Sequence, residues 1–212
     1  MKPRVLIADD HRLVVEGLVK ILERECELVG IVSNGREMIA EAIERSPDVV
    51  LLDVAMPLLN GIEAARQMKR ERPAIKIIFV TMQMNRDYVQ EAFRAGASGY
   101  VLKQAAASEL IVAIREVQVG RFFLSPMISD RFLGRQLTPG ESPVKLFTNL
   151  TARQREVLQL VAEGRPAKEI AALLFISVKT VEFHKKHLME ELSVRNTAEL
   201  IRYAVEHGWV SQ

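Results

Sequence analysis

The sequence predicts an α/β domain, a doubly wound sheet of five parallel strands, followed by a separate all-α domain of four helices. Three observations predict it. Over residues 1–120, short β-branched runs alternate five times with longer amphipathic stretches, the pattern of a parallel sheet covered by helices on both faces. Between residues 121 and 147 that periodicity fades while Ser125-Pro126, Thr138-Pro139-Gly140 and Ser142-Pro143 accumulate turn formers, which marks a linker. From Thr151 onward the pattern is helical throughout, so residues 148–212 read as a second domain.

Strands are expected at residues 4–8, 27–32, 49–53, 76–81 and 99–102. Runs such as Val49-Val50-Leu51-Leu52 are apolar throughout, as strands buried on both faces should be. Helices fall between them at 12–23, 35–45, 62–71, 86–95 and 108–119. Ser46-Pro47, Arg72-Pro73 and Gly96 punctuate their ends, and Ser108 is a candidate N-cap. In the second domain helices are expected at 152–163, 167–174, 178–192 and 197–207. Thr151-x-x-Gln154 and Asn196-x-x-Glu199 form capping boxes there, and Gly164 and Gly208 act as stops.

Composition narrows the function classes. A chain of 212 residues suits two modest domains, and 49% hydrophobic residues with mixed charge argue against disorder. The first apolar run, Val5-Leu6-Ile7-Ala8, ends in Asp9-Asp10 and is too short for a signal-peptide core. No later run approaches membrane-spanning length, so the expected compartment is the cytoplasm, without a membrane partner. The single cysteine, Cys26, excludes an internal disulfide and a thiolate zinc cluster; it is expected to be reduced and half-buried. Net charge is −1 over residues 1–120, +2 over 121–147 and +1 over 148–212, so a role with nucleic acid rests on where charges lie rather than on their total.

Chemistry in an open parallel sheet gathers outside the carboxyl ends of the strands, where strand order reverses. Here strand one ends in Asp9-Asp10, strand three in Asp53, strand four in Thr81 and strand five in Lys103. Strand two, expected at the edge, supplies no such group. Each residue alone has an ordinary reading: a helix cap, a turn residue, a strand former, a solvated amine. Three converging carboxylates, however, would repel one another unless a hard divalent cation and a lysine join them. Mg²⁺ fits that requirement, since it prefers oxygen ligands and is commonly held by one or two carboxylates plus phosphate oxygens. The arrangement suits phosphoryl transfer onto a carboxylate. Asp53 is the best acceptor. Asp9 and Asp10 would hold the metal, with Asp53 and the backbone carbonyl of Ala55 as further ligands; Thr81 would hydrogen-bond one phosphoryl oxygen and Lys103 pair with another.

At this point residues 3–120 resemble the receiver domains of two-component response regulators. The resemblance rests on Asp9-Asp10, Asp53-Val54-Ala55-Met56-Pro57 followed by Gly61, Thr81, and the run from Ala95-Gly96-Ala97 through Ser98-Gly99-Tyr100-Val101-Leu102-Lys103. It implies a flavodoxin-like strand order 2-1-3-4-5 and a sensor histidine kinase as phosphoryl donor. It also implies a relay from the threonine and an aromatic residue, at Thr81 and Tyr100, to the face formed by helix four, strand five and helix five. Two departures stand out: no proline follows Lys103, and Leu58-Leu59 occupy a position that is more polar or glycine-containing in many relatives. Met82 and Met84 read as gap fillers or loop residues, because a thioether is a poor partner for Mg²⁺.

In the second domain, 167–174, the turn Phe175-Ile176-Ser177 and 178–192 have the layout of a helix-turn-helix, whose second helix enters the DNA major groove. On that helix Val178, Val181, Leu188 and Leu192 should pack inward, leaving Lys179, Glu182, Phe183, Lys186 and Glu190 outward. Lys179, the hydroxyls of Ser177 and Thr180, and the free N–H groups at the helix start suit phosphates. Glu182, Phe183 and Lys186 could reach base edges. A solvated helix face would show the same stripe, and Glu190 and Glu191 would repel phosphate. His184 and His187 lie one turn apart without an evident third ligand, so zinc is not expected.

Residues 149–210 resemble the DNA-binding domains of the LuxR type, on Leu150-Thr151, Arg155-Glu156-Val157-Leu158, Gly164, Lys168-Glu169-Ile170-Ala171, Ile176-Ser177-Val178-Lys179-Thr180-Val181, His184, Leu192 and Val194-Arg195-Asn196. Ala167 departs from the polar residue common at that place. A receiver joined to such a domain resembles the NarL/FixJ class, which implies double-stranded DNA as partner and a homodimer on it. Two other readings are an aspartyl-phosphate enzyme such as a phosphatase and a pseudo-receiver acting purely in protein interaction. The adjacency of Asp9 and Asp10, in place of an Asp-x-Asp pair with a cap segment, argues against the first. The full set of pocket residues argues against the second, so no catalytic turnover is expected.

Overall fold

The computed structural model describes residues 2–133, 150–206 and 209–210, with the backbone alone for 131–133. Five strands, β1 (Arg4–Ala8), β2 (Glu27–Val32), β3 (Val49–Leu52), β4 (Lys76–Thr81) and β5 (Gly99–Leu102), fall where the sequence predicts them. The helices α1 (Arg12–Leu22), α2 (Gly35–Arg45), α3 (Gly61–Glu71), α4 (Arg86–Arg94) and α5 (Ala106–Gln118) alternate with them. Val49 to Leu52 are essentially inaccessible, as are Val5 to Ala8, so both faces of the sheet centre are covered. Burying each such aliphatic side chain contributes about 1.5–3 kcal/mol. One core layer joins Leu6, Met38, Leu52, Ile77 and Phe79, and the opposite layer joins Ile7, Leu18, Leu51, Ile78 and Leu110.

Among the described residues the sheet has six strands, not five. Its order is β2-β1-β3-β4-β5-β6, all pairs parallel, and β6 (Phe123–Leu124) lies within the segment expected as linker. A two-residue strand is too short for periodicity to register, and the pairing is decided by the open edge of β5. Phe123 N–H donates to Ser98 O (3.1 Å) and Ser125 N–H to Tyr100 O (2.9 Å). Ser125 is fully buried and its hydroxyl accepts from Leu102 N–H at 3.1 Å. Helix α6 (Pro126–Leu133) follows, so Ser125-Pro126 starts a helix, with proline at the first position, where its missing N–H costs nothing.

Three smaller expectations need correction. Helix α5 begins at Ala106 after a 3₁₀ turn (Lys103–Ala105), so Ser108 is not its N-cap; its hydroxyl donates to Ala105 O at 3.1 Å. Cys26 is buried rather than half-buried, under Leu22 and Val5 in the second core layer. Val178 is 42% exposed rather than packed inward, because the first turn of its helix lies at the rim of the helical core.

The second domain packs α7 (Ala152–Ala162), α8 (Ala167–Leu174), α9 (Val178–Glu191) and α10 (Thr197–Glu206) around Val157, Leu158, Ile170, Val181, Leu188 and Leu200. Both expected capping pairs form. Thr151 and Gln154 exchange side-chain and backbone bonds, and Asn196 Oδ1 accepts from Glu199 N–H at 2.9 Å. Gly164 takes φ +77° just past α7, a left-handed stop that a side chain would strain. Gly208, the other expected stop, lies outside the described residues, as do His207 and the turn formers of 138–143.

Candidate functional site

Of the polar groups at the strand ends, Asp9, Asp10, Asp53 and Lys103 meet. Lys103 Nζ lies 2.7 Å from Asp53 Oδ2 and 2.8 Å from Asp9 Oδ2, and all three side chains are nearly inaccessible. Asp53 continues the β3 ladder, its N–H donating to Ala8 O (2.9 Å), while its Oδ1 accepts from Val54 N–H (2.7 Å). Gly61 makes that position attainable. A Cβ there would stand 1.9 Å from the backbone carbonyl oxygen of Asp53, so only glycine lets α3 start directly against the Asp53 backbone.

Asp10 is more open, and beside it stands His11, a residue that sequence reasoning passed over. Its Nδ1 is 2.9 Å from Asp10 Oδ1, 3.1 Å from Asp9 Oδ1 and 3.7 Å from Asp53 Oδ2. One ligand atom from each of Asp9, Asp10, His11 and Asp53 lies within 4.8 Å of the others. Asp9 Oδ2 and Asp10 Oδ1 are buried and make no well-aligned hydrogen bond, although Lys103 Nζ and His11 Nδ1 stand close, so both keep lone pairs free to ligate. That donor set fits a hard divalent cation. The adjacency of His11 to Asp10 was the available signal.

Burial pushes the Asp53 carboxyl above its ordinary pKa; Lys103 opposes this and Asp9 reinforces it. Burial works to lower the Lys103 pKa, yet its pairing with Asp53 and Asp9 outweighs that and the net shift is upward. The pocket thus sets a charged ammonium against the Asp53 carboxyl, whose ionised form burial disfavours.

Thr81 and Tyr100 are buried on neighbouring strands and linked by a third residue. Gln83 N–H donates to Thr81 Oγ1 (3.3 Å), and Tyr100 Oη donates to Gln83 O (3.0 Å). Burial, then Asp53, raises the Tyr100 pKa, so the phenol stays a donor. Nothing in the sequence singled out Gln83. Ala55 is half-buried on the loop leaving Asp53. Met82 is 65% exposed and Met84 packs at the core margin, as gap fillers and loop residues do.

On α9, Lys179, Glu182, Phe183, Lys186 and Glu190 face solvent, and Thr180 is half-buried. Ser177 caps the helix, accepting from Thr180 N–H at 3.0 Å, with the two hydroxyls 2.8 Å apart. The carboxylates of this face are matched locally: Glu182 pairs with Lys185 (3.2 Å) and Glu190 with Lys186 (3.9 Å). Phe183 packs against His187, ring centroids 4.1 Å apart and planes tilted by 45°. Burial, with Arg153 and His187 nearby, lowers the His184 pKa.

Helix α7 closes on the loop that follows Asp53. The amide of Gln159, fully buried, donates to Met56 O and accepts from Asn60 N–H, both at 2.7 Å. Glu163 Oε1 accepts from Leu58 N–H (2.8 Å), Arg155 Nε donates to Glu63 Oε2 (2.7 Å) and Gln67 Nε2 to Glu156 Oε1 (3.0 Å). Gln159 interrupts the apolar run Val157-Leu158-Gln159-Leu160-Val161, a polar residue at an inward position; that was its one sequence signal.

Comparisons with known proteins match both domains. Residues 5–115 match the response regulator receiver domain, and residues 148–204 match the bacterial regulatory proteins of the LuxR family. The chain is 36% identical over 213 residues to the transcriptional regulatory protein MctR of Rhizobium johnstonii, covering 100% of this chain and 97% of the relative. It is 38% identical over 203 residues to LiaR of Bacillus subtilis, covering 95% and 96%. Among solved structures, the RcsB response regulator of Salmonella typhimurium matches with TM-score 0.66 at 31% identity, covering 97% of this chain and 98% of that one. An RcsB–DNA complex matches with TM-score 0.59 at 31% identity and the same coverage.

A receiver fold with an acidic pocket at its switch point, joined to a helix-turn-helix, defines a response regulator. The chain belongs to that family, in the NarL/FixJ class, with a receiver domain and a LuxR-family DNA-binding domain. Its relatives are transcription regulators rather than enzymes. No helix among the described residues is long and apolar enough to cross a membrane.

Proposed function

We propose that this protein is a phosphorylation-dependent transcriptional regulator of the cytoplasm, with Asp53 as its phosphoacceptor and a sensor histidine kinase as donor. The observation that carries this reading is the ammonium of Lys103 bridging Asp53 and Asp9 at 2.7 and 2.8 Å in a nearly closed pocket. An Asp53 carboxylate oxygen attacks phosphorus, the phosphorus–nitrogen bond of the kinase phosphohistidine breaks, and the imidazole leaves with the electron pair. Lys103 neutralises one phosphoryl oxygen and the Thr81 hydroxyl donates to another. Asp9, Asp10, Asp53 and the Ala55 carbonyl would hold Mg²⁺, which supplies charge neutralisation and alignment of the oxygens. Movement of Thr81 toward the phosphoryl group pulls on Gln83 and thereby on Tyr100, and so changes the face around β5.

The output is binding of double-stranded DNA as a homodimer, with α9 in the major groove. Ser177, Lys179 and Thr180 would meet phosphates, and Glu182, Phe183 and Lys186 the base edges. Exposure of that face, local pairing of its carboxylates and the likeness to an RcsB–DNA complex support this. Residues 1–120, 121–147 and 148–212 serve as receiver, linker and output domain, although β6 ties the start of that linker to the receiver sheet.

The test is acetyl phosphate with Mg²⁺, followed by detection of an acid-stable, base-labile phosphoryl group and a gel shift on operator fragments selected by the purified protein. Label on the wild type and none on Asp53→Asn is the expected result. Equal labelling of both, or operator affinity indifferent to acetyl phosphate, would overturn the reading.

A further inference from the structure

We propose that His11 is a ligand in the acidic pocket, and that its imidazole biases the site away from Mg²⁺ toward later divalent transition ions such as Co²⁺ and Ni²⁺. This rests on reading the pocket as a divalent-metal site around Asp53. Carboxylates and a backbone carbonyl alone make an all-oxygen site, the kind that suits Mg²⁺. Imidazole nitrogen is a preferred donor for later transition ions, whose affinity for such sites rises from Mn²⁺ through Co²⁺ to Ni²⁺. One nitrogen among the oxygens therefore changes which ion the site selects.

The first observation is where the ring points. His11 stands at the N-cap of α1, where a Ser, Thr, Asp or Asn side chain would close the helix with a bond worth about 1 kcal/mol. His11 makes no such bond, and the first turn of α1 has no acidic residue in compensation. Its backbone N–H donates to Asp9 Oδ1 at 2.9 Å, and the ring follows into the pocket. The position gives up a cap and places a nitrogen among carboxylates.

The second is the spacing of the donor atoms. Ligands held at about 2.1 Å on adjacent corners of an octahedron stand about 3 Å from each other. Nδ1 lies 2.9 Å from Asp10 Oδ1 and 3.1 Å from Asp9 Oδ1. A ring drawn in by hydrogen bonding alone would align with its nearest acceptor. Here only the longer approach, to Asp9 Oδ1, has hydrogen-bond geometry. The nearer oxygen, Asp10 Oδ1, is buried and makes no hydrogen bond, so the closest pair of donor atoms is left for a third partner.

The third is the division of labour with Lys103. Its ammonium stands against Asp9 Oδ2 and Asp53 Oδ2, whereas the ring faces Asp9 Oδ1 and Asp10 Oδ1. Lysine thus neutralises one side of the acid cluster, and the side with His11 is where an ion has ligands. The His11 side chain is 48% exposed and Lys103 only 6%, so an ion enters past the ring. Ligation takes the Nε2–H tautomer, with the Nδ1 lone pair turned inward.

The test uses the full-length chain without an affinity tag. Electron paramagnetic resonance follows Mn²⁺ binding, displacement of Mn²⁺ gives the affinities for Mg²⁺, Co²⁺ and Ni²⁺, and pulsed spectra of bound Mn²⁺ report nitrogen ligands by their coupling. The wild type should show an imidazole coupling. His11→Phe, a flat ring without a donor atom, should lose it. That variant should also bind Co²⁺ and Ni²⁺ at least roughly tenfold more weakly, since losing even an outer partner of a ligand costs about 10–100-fold. Its Mg²⁺ affinity should stay near that of the wild type. His184, His187 and His207, all in the helical domain, remain in the variant as an internal control. His11→Ala serves if His11→Phe fails to fold.

Bound Mn²⁺ without nitrogen coupling, or equal Co²⁺ and Ni²⁺ affinity in wild type and variant, would overturn the proposal and leave the acceptor reading intact. Tighter binding of every ion by the variant would overturn it too, and make the ring an occupant that metal must displace. A wild type that binds no divalent ion would instead sink the reading of the pocket as a metal site, and the proposal with it.

Discussion

The acidic pocket and the outward face of α9, proposed to receive the phosphoryl group and to read DNA, are built in opposite ways. In the pocket Lys103, Asp53 and Asp9 come from strand ends up to 94 residues apart in sequence and sit almost without solvent. On α9 and its cap the candidate contact residues, Ser177 to Lys186, span ten positions at helical spacing, and all but the half-buried Thr180 face water. Charges in the pocket interact at low local dielectric, so removing one exposes the others to the full desolvation penalty. Charges on α9 are screened, Glu182 and Glu190 are paired with near neighbours, and each such pair is worth little. A site that must hold a small dianion needs the first kind of construction; a surface that must slide along a polyanion and exchange salt needs the second.

The largest effect expected from breaking this contrast is at Lys103. Lys103→Met leaves Asp9 and Asp53 buried without their shared cation, a change that costs about 3–5 kcal/mol when one partner of a buried pair is lost. Chemical denaturation in chelator at neutral pH should show it, and added Mg²⁺ should return part of the loss. Stability unchanged within about 0.5 kcal/mol would mean that the pocket is far wetter than its burial indicates.

Next comes the surface. Lys186→Ala and Lys179→Ala should leave stability alone. Lys179→Ala, as a phosphate contact, should weaken binding to all sequences and lower the slope of log affinity against log salt by about 1. Lys186→Ala should cost about 1–3 kcal/mol on the selected operator and less on random DNA. The same loss on both kinds of DNA would reassign Lys186 to the backbone.

A smaller effect belongs to the cap. Ser177→Ala removes the acceptor for Thr180 N–H and should cost about 1 kcal/mol of helical-domain stability, while Ser177→Asp should retain it. The smallest is pH dependence at His184. Its folded pKa lies below the ordinary histidine value, so the neutral form is favoured in the fold. The stability it contributes is present above its unfolded pKa and is lost as pH falls through the depressed folded value. His184→Gln should flatten the acid limb of the melting profile slightly, because the side chain is partly solvated; an unaltered limb would assign that limb to other groups.

Much of the pocket was legible because its chemistry is concentrated at the strand ends. Alternating apolar runs fix where strands stop, and the groups that follow them, Asp9-Asp10, Asp53, Thr81 and Lys103, must share one edge of a parallel sheet. His11 and Gln83 escaped that logic for different reasons. His11 begins as a helix flank whose ring could have turned to solvent, and Gln83 acts through its backbone groups as well as its place between two strands. The sixth strand escaped because two residues carry no period. Val178 was misplaced by extending the helical stripe to a first turn that no neighbour covers.

The sequence by itself determined the two folds and the residue types at the switch point, since apolar period and capping act over a few residues and need no partner. Only the tertiary structure decided that Gln159, Glu163 and Arg155 of α7 turn toward the loop after Asp53, because the bonds between residues some hundred positions apart depend on packing. An amide or carboxylate on a helix has the same local pattern whether it meets water or a backbone carbonyl. What separates the two outcomes is which surface lies opposite, and that is a property of the folded chain.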